Sequence, residues 1–155
     1  MISAIDGTIE YIDHLAQRLE HYDPSSVAML VLIQLRIPTQ LHGFTYLQMA
    51  IVQRYICPVC SMSGDIYPAI RARFGDHLSN EVIEAAMRGA IQAGYKRGNL
   101  QLWKLLLPTV MADGLKRPSN TEFVDELARI VELLCSCARS YALRRKEEEA
   151  GYEIT

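Results

Sequence analysis

The 155-residue chain predicts an all-α fold, a compact multi-helix domain of about six to seven helices that contains a helix-turn-helix. Three observations carry this expectation. Apolar residues recur at three- and four-residue spacing through most of the chain, Pro and Gly fall between those stretches, and no period-two alternation competes. Half of the residues are apolar, enough for one domain with a substantial core.

Thr8 is expected to cap a first helix running to about Tyr22, with Ile9, Ile12, Leu15, Ala16 and Leu19 as its buried stripe, ended by Asp23-Pro24. Ser25 or Ser26 starts a second helix, which Pro38 stops. A third is expected from Thr45 to about Cys57. In the stretch Asp65 to Phe74, Ile66, Ala69, Ile70 and Phe74 lie on one face, while Arg71 and Arg73 fall outside it. Gly75 then sits where a C-terminal cap wants it, and Ser79 or Asn80 offers the N-cap of the next helix. Val82, Ile83, Ala86, Met87, Ala90 and Ile91 form that helix's apolar stripe, with Glu84, Arg88 and Gln92 four apart on another side. Leu100 to Leu107 makes a short helix broken by Pro108. Ser119 or Asn120 caps a long last helix in which Phe123, Leu127, Ile130, Leu133 and Leu134 face inward. The block Arg144-Arg145-Lys146-Glu147-Glu148-Glu149 is expected to be a solvated helix end that frays into a tail.

Two short helices around a tight break, the second lopsided in Arg and small residues, commonly place one helix in a DNA groove. Several separated runs then carry a family resemblance: Ile37-Pro38, Gly43 to Leu47, Ala50-Ile51, Tyr67-Pro68, Ala86 to Ile91, Lys96 to Asn99 and Arg117 to Phe123. In this order and spacing, over roughly residues 27 to 134, the chain resembles the C-terminal DNA-binding effector domain of the sporulation initiation response regulator of endospore-forming bacteria. The resemblance implies a DNA-binding transcription regulator that reads the major groove with helix 80–96. Glu84 and Arg88 match family positions. Val82 and Ala85 stand where the family carries Arg, and Gly89 stands at a His position. The turn before the helix is about two residues longer than the family's, and the segment before Tyr67 about two shorter.

The lost arginines have a magnitude. One bidentate Arg contact to guanine contributes about 1 to 3 kcal/mol of discrimination. Two are therefore worth roughly 2 to 6 kcal/mol, against a usual specific-over-non-specific gap of about 4 to 10 kcal/mol. A different or degenerate site, or lost binding, is the expectation.

Net charge is -2, from 16 Lys and Arg against 18 Asp and Glu, but its distribution is uneven. Residues 25–117 carry a net +5, residues 1–24 carry -4 and residues 118–155 carry -3. The basic excess coincides with the family-like core, where it suits phosphates or forms an ordinary solvated surface. The expected DNA-binding residues are Arg88, Glu84 and Asn80 on the reading helix, with Arg71, Arg73, Lys96, Arg97, Lys116 and Arg117 meeting phosphates.

Three segments are expected: an acidic amphipathic helix at 1–24, the effector domain at 25–138 and a charged helix end and tail at 139–155. The first could pack on the core, pair two subunits or cover the basic surface. About 24 residues precede the resemblance, so the receiver domain of the family's regulator, and control by aspartyl phosphorylation, are not expected in this chain. The resemblance further implies a homodimer, and an RNA polymerase contact near Leu100 to Met111.

The longest apolar run, Val27 to Ile33, is far short of a bilayer span, and the first residues lack the basic region of a signal peptide. A cytoplasmic protein without membrane contact is expected. Cys57-Pro58-Val59-Cys60 has the spacing of a zinc knuckle, and Cys135 and Cys137 could complete four thiolates. On a helix, however, an i, i+2 pair points its sulfurs about 200 degrees apart. Free thiols are the preferred reading, with no metal and no cofactor. No nucleophile and base, carboxylate pair or phosphate-cradling glycine loop is legible, so no enzyme is expected. The second hypothesis is an interaction module that kept the scaffold, surrendered base reading and modulates another regulator.

Overall fold

The computed structural model describes residues 4–112 and 116–154. Among them are seven α-helices and no strand: α1 Ala4–Ala16, α2 Pro24–Gln34, α3 His42–Ile56, α4 Tyr67–Phe74, α5 Asn80–Arg97, α6 Leu100–Leu106 and α7 Asn120–Ile154. A π-helical turn, Met62–Ile66, leads directly into α4.

α3 occupies the centre, packed against α2, α4, α5 and α7. Its buried Phe44, Leu47, Ala50 and Ile51 meet Ile83, Met87 and Ile91 from α5 and Phe123, Leu127 and Val131 from α7 in one core. Gly43 sets how closely α3 approaches α5. A methyl there would lie 2.1 Å from the Ala86 carbonyl oxygen, so the backbones touch where only hydrogen fits. An aromatic chain joins the last three helices: Tyr95 meets Trp103 edge-on at 5.6 Å, and Trp103 meets Phe123 at 5.7 Å.

The helix ends show which local signals won. Asp23, not Ser25 or Ser26, caps α2; its carboxylate accepts from the Ser26 N–H at 3.0 Å, with Pro24 in the first turn. α2 stops ahead of Pro38, at Leu35, after which Arg36 takes a positive φ of 64°. α3 begins at His42, three residues before the expected Thr45, after a Leu41 that makes no side-chain cap bond and so leaves no signature. Ser61 accepts from Gly64 N–H at 2.9 Å and starts the π turn upstream of Asp65. Asn99 caps α6 by accepting from Gln101 N–H at 2.9 Å. Ser119 and Glu122 form a reciprocal capping box at α7, with bonds of 3.0 and 3.2 Å.

Further expected core and cap positions are corrected. Thr8 is inside α1, not at its start; its hydroxyl donates to the Leu105 carbonyl at 2.6 Å, and the helix ends at Ala16 rather than Tyr22. Ile9 and Leu133 face solvent, at 59% and 47% exposure. Each sits at the margin of a stripe whose centre, Ile12 and Ala16 on α1 or Val131 and Leu134 on α7, takes the burial.

α1 lies against α7 and α6. Tyr141 donates to Asp13 and accepts from Gln17, and Arg145 donates to the Gln17 carbonyl, so polar bonds fasten the two helices beyond their apolar seam. α7 remains helical through Arg144–Glu149 rather than fraying there. On α6, Trp103 and Leu106 are buried, leaving Gln101 and Lys104 as its exposed residues. No helix among the described residues is long and apolar enough to cross a membrane.

Candidate nucleic-acid interface

α4 and α5 are joined by the turn Gly75–Ser79. Gly75, with φ 138°, donates to the Arg71 carbonyl at 2.8 Å and lets the chain leave α4 in a direction that side chains disfavour. Buried Leu78 anchors the turn, and Ser79 caps α5 by accepting from Val82 N–H at 3.2 Å. Arg71 is half-buried and donates to the Asn80 side-chain oxygen, tying the end of α4 to the first residue of α5.

Ile83, Met87, Ala90, Ile91 and Gly94 form the buried side of α5. Glu81, Val82, Ala85, Arg88, Gly89, Gln92 and Lys96 form its outer side. Val82, expected in the apolar stripe, is 51% exposed instead. It stands some 140 degrees around the helix from Met87 at 100 degrees per residue, too far to share the buried arc. Nothing comes within 4 Å of a methyl built on Gly89, so the middle of this face is low, uncharged and open.

Arg88 borders that strip and also lines an open recess of about 450 Å³. Its other walls are Tyr67 from α4, Glu84 from α5 and residues 116–122, which lead into α7. Asn120 fixes one wall, its amide donating to the Glu84 carbonyl at 3.0 Å. The Tyr67 hydroxyl sits among Glu84, Asn120 and Arg88; burial first, then the Glu84 charge, pushes its pKa above 10.0. Arg88 and Lys116 are exposed and Arg117 is half-exposed. Among the described residues, none of these three joins either ion pair, Arg54–Asp125 or Arg129–Glu126. Three cations thus converge from two segments about 30 residues apart, and among the described residues lining the recess the carboxylates are Glu84 and Glu122. Glu122 is itself held in the capping box, and its bonds to Ser119 lower its pKa.

Not every sequence-expected residue reaches this place. Arg73 lines a separate recess with Ser25, Gln48 and Phe74, and Arg97 another with Arg36 and Pro38. Lys96 is exposed on the outer side of α5, one turn beyond Gln92. Sequence reasoning passed over Tyr67 and Asn120 as site residues. Both lie in the family-like runs Tyr67-Pro68 and Arg117 to Phe123, which was the signal available. Among the described residues, α1 packs mainly against α7 and α6.

Cys57, Cys60, Cys135 and Cys137 are free thiols, and no group of three or more metal-ligating side chains occurs among the described residues.

An exposed helix seated by a short turn, with cations from a second segment beside it on an all-helical core, has the layout of helix-in-groove DNA-binding domains. The family described as sporulation initiation factor Spo0A, C terminal, matches residues 28–131. The chain belongs to that family, a family of DNA-binding effector domains in transcription regulation and sporulation.

Proposed function

We propose that this chain is a DNA-binding transcription regulator that lays the outer side of α5 in the major groove. The observation that carries the reading is the convergence of Arg88 with Lys116 and Arg117 beside an uncovered helix face. In this reading Arg88 addresses a guanine edge and Glu84 a cytosine amine, the pairings their donor and acceptor groups suit. Ala85 and Val82 offer methyl groups to thymine methyls, and open Gly89 lets the duplex approach closely. Lys116, Arg117 and Lys96 meet phosphates near the reading face, with Arg73 and Arg97 as outlying backbone contacts. Arg71 and Asn80, bonded to each other, hold the start of α5 in register. Two copies on adjacent half-sites fit the dimeric habit that the family resemblance implies, and the exposed side of α6 remains for a polymerase contact.

A second reading has its own observation. Val82, Ala85 and Gly89 make the centre of the outer face small and uncharged, which suits a protein partner as well as a groove. An anisotropy titration on genomic fragments at two salt concentrations separates the two. Sequence selection that Arg88→Ala relaxes supports the regulator. Absence of binding at low salt leaves the interaction module.

A further inference from the structure

Of the four cysteines, two share a short loop. Cys57 ends α3, and Cys60 N–H donates to the Cys57 carbonyl at 3.1 Å, closing a four-residue turn. Such a turn holds its first and last Cα atoms within about 7 Å, and a disulfide spans about 4.4 to 6.8 Å. The neighbouring Cys57, with burial, raises the Cys60 pKa, as two thiols held close together would. Both cysteines are half-exposed, and Val59 between them is 93% exposed, so a small reagent reaches the pair from solvent. Cys135 and Cys137 offer no such pairing, since Cys135 is buried and the two point to different sides of α7.

The loop is also braced. Arg54, one turn back on α3, donates to the carbonyls of Pro58, at 3.2 Å, and Cys60, and pairs with Asp125 of α7 at 2.9 Å. The turn therefore presents the two sulfurs in a fixed arrangement. Among the described residues no third or fourth donor joins the pair, and two thiolates alone do not make the closed tetrahedral site that structural zinc requires. A dithiol of this spacing suits thiol–disulfide exchange instead.

We propose that Cys57 and Cys60 form a reversible redox dithiol that closes to an intraloop disulfide with a small disulfide, such as oxidised glutathione, as the oxidant. The Cys57 thiolate attacks one sulfur of the oxidant, making a mixed disulfide and releasing one glutathione thiolate. The Cys60 thiolate then attacks the Cys57 sulfur and releases the second. Two cysteine thiols are oxidised and one external disulfide is reduced; the two protons pass to the two released thiolates. The two thiols are interchangeable in this exchange; Cys60, whose pKa the neighbouring Cys57 and burial push up to about 11, serves here as the resolving thiol.

The test uses the full-length protein, incubated over a range of oxidised-to-reduced glutathione ratios, unfolded in alkylating agent, digested after Arg and Lys, and weighed. Both cysteines lie in the peptide Tyr55 to Arg71. The expected result is a form of that peptide two hydrogens lighter, closed to alkylation, growing with the ratio and reverting with dithiothreitol. Cys60→Ser should instead accumulate one glutathione adduct on Cys57. Full alkylation of both cysteines at every ratio, or two separate adducts on the peptide, would overturn the proposal. The wild-type measurement stands whether or not the variant folds, and it is independent of DNA binding.

Discussion

Asn120, the first residue of α7, donates its side-chain amide to the Glu84 carbonyl of α5 at 3.0 Å, one helical turn ahead of Arg88. The bond links two segments that line the recess, and it holds Lys116 and Arg117 on the same side of the molecule as the outer face of α5. Asn120→Ala should cost about 1 kcal/mol, the ordinary net worth of such a bond. Urea unfolding would measure it, and DNA affinity should fall by more than stability, because the cations lose their placement. Equal affinity in the variant would count against the recess as part of the interface.

The phosphate contacts make a salt prediction. Lys116→Ala should lower the slope of log affinity against log salt by about 1, with little change in sequence preference. Lys146→Ala, about 39 Å along α7 from Asn120, should leave the slope alone. Binding isotherms at four salt concentrations would separate these outcomes.

Two glycines in the same helix neighbourhood should answer oppositely to one methyl group. Gly43→Ala places it 2.1 Å from the Ala86 oxygen and should destabilise by about 3 kcal/mol or more as α3 and α5 are forced apart. Gly89→Ala meets nothing and should stabilise by about 0.5 to 1 kcal/mol through helix propensity. Thermal melts of the pair decide this directly.

Acid should act through the caps. Hydrogen bonding to Ser26 lowers the Asp23 pKa from 3.8, and hydrogen bonding to Ser119 lowers that of Glu122 from 4.5. A carboxyl group whose folded pKa lies below its unfolded one contributes stability above the unfolded value and loses it as pH falls through the folded value. These two contributions should therefore be complete at pH 6 and decline below about 4.5. Glu122→Gln should flatten the dependence of the urea midpoint between pH 6 and pH 3; an unchanged slope would assign acid sensitivity to other groups.

Much of the fold was legible because its signals are local. Gly75, Ser79 and the spacing Ile83, Met87, Ala90, Ile91 delimit α5 with no reference to the rest of the chain. Where position depends on a distant partner, the pattern failed. Thr8 has the chemistry of a cap, but its partner is the Leu105 carbonyl, 97 residues away. Val82 counts as apolar in a stripe, yet its angle turns it outward. The start of α3 at His42 has no capping side chain to announce it. The site divides in the same way: Arg88 could be singled out from helix spacing and family match, whereas its convergence with Lys116, Arg117, Tyr67 and Asn120 is a tertiary property. The Cys57–Cys60 pair was visible as a zinc-knuckle spacing, but the backbone turn that brings the two residues together was not.

The aromatic chain through the last three helices has a practical consequence. Trp103 is the sole tryptophan and is fully buried between Tyr95 and Phe123. Its native emission should be blue-shifted and should move to the red when α5, α6 and α7 separate. The protein thus contains its own fluorophore for following folding, placed in the interior, away from the surface where a duplex would dock.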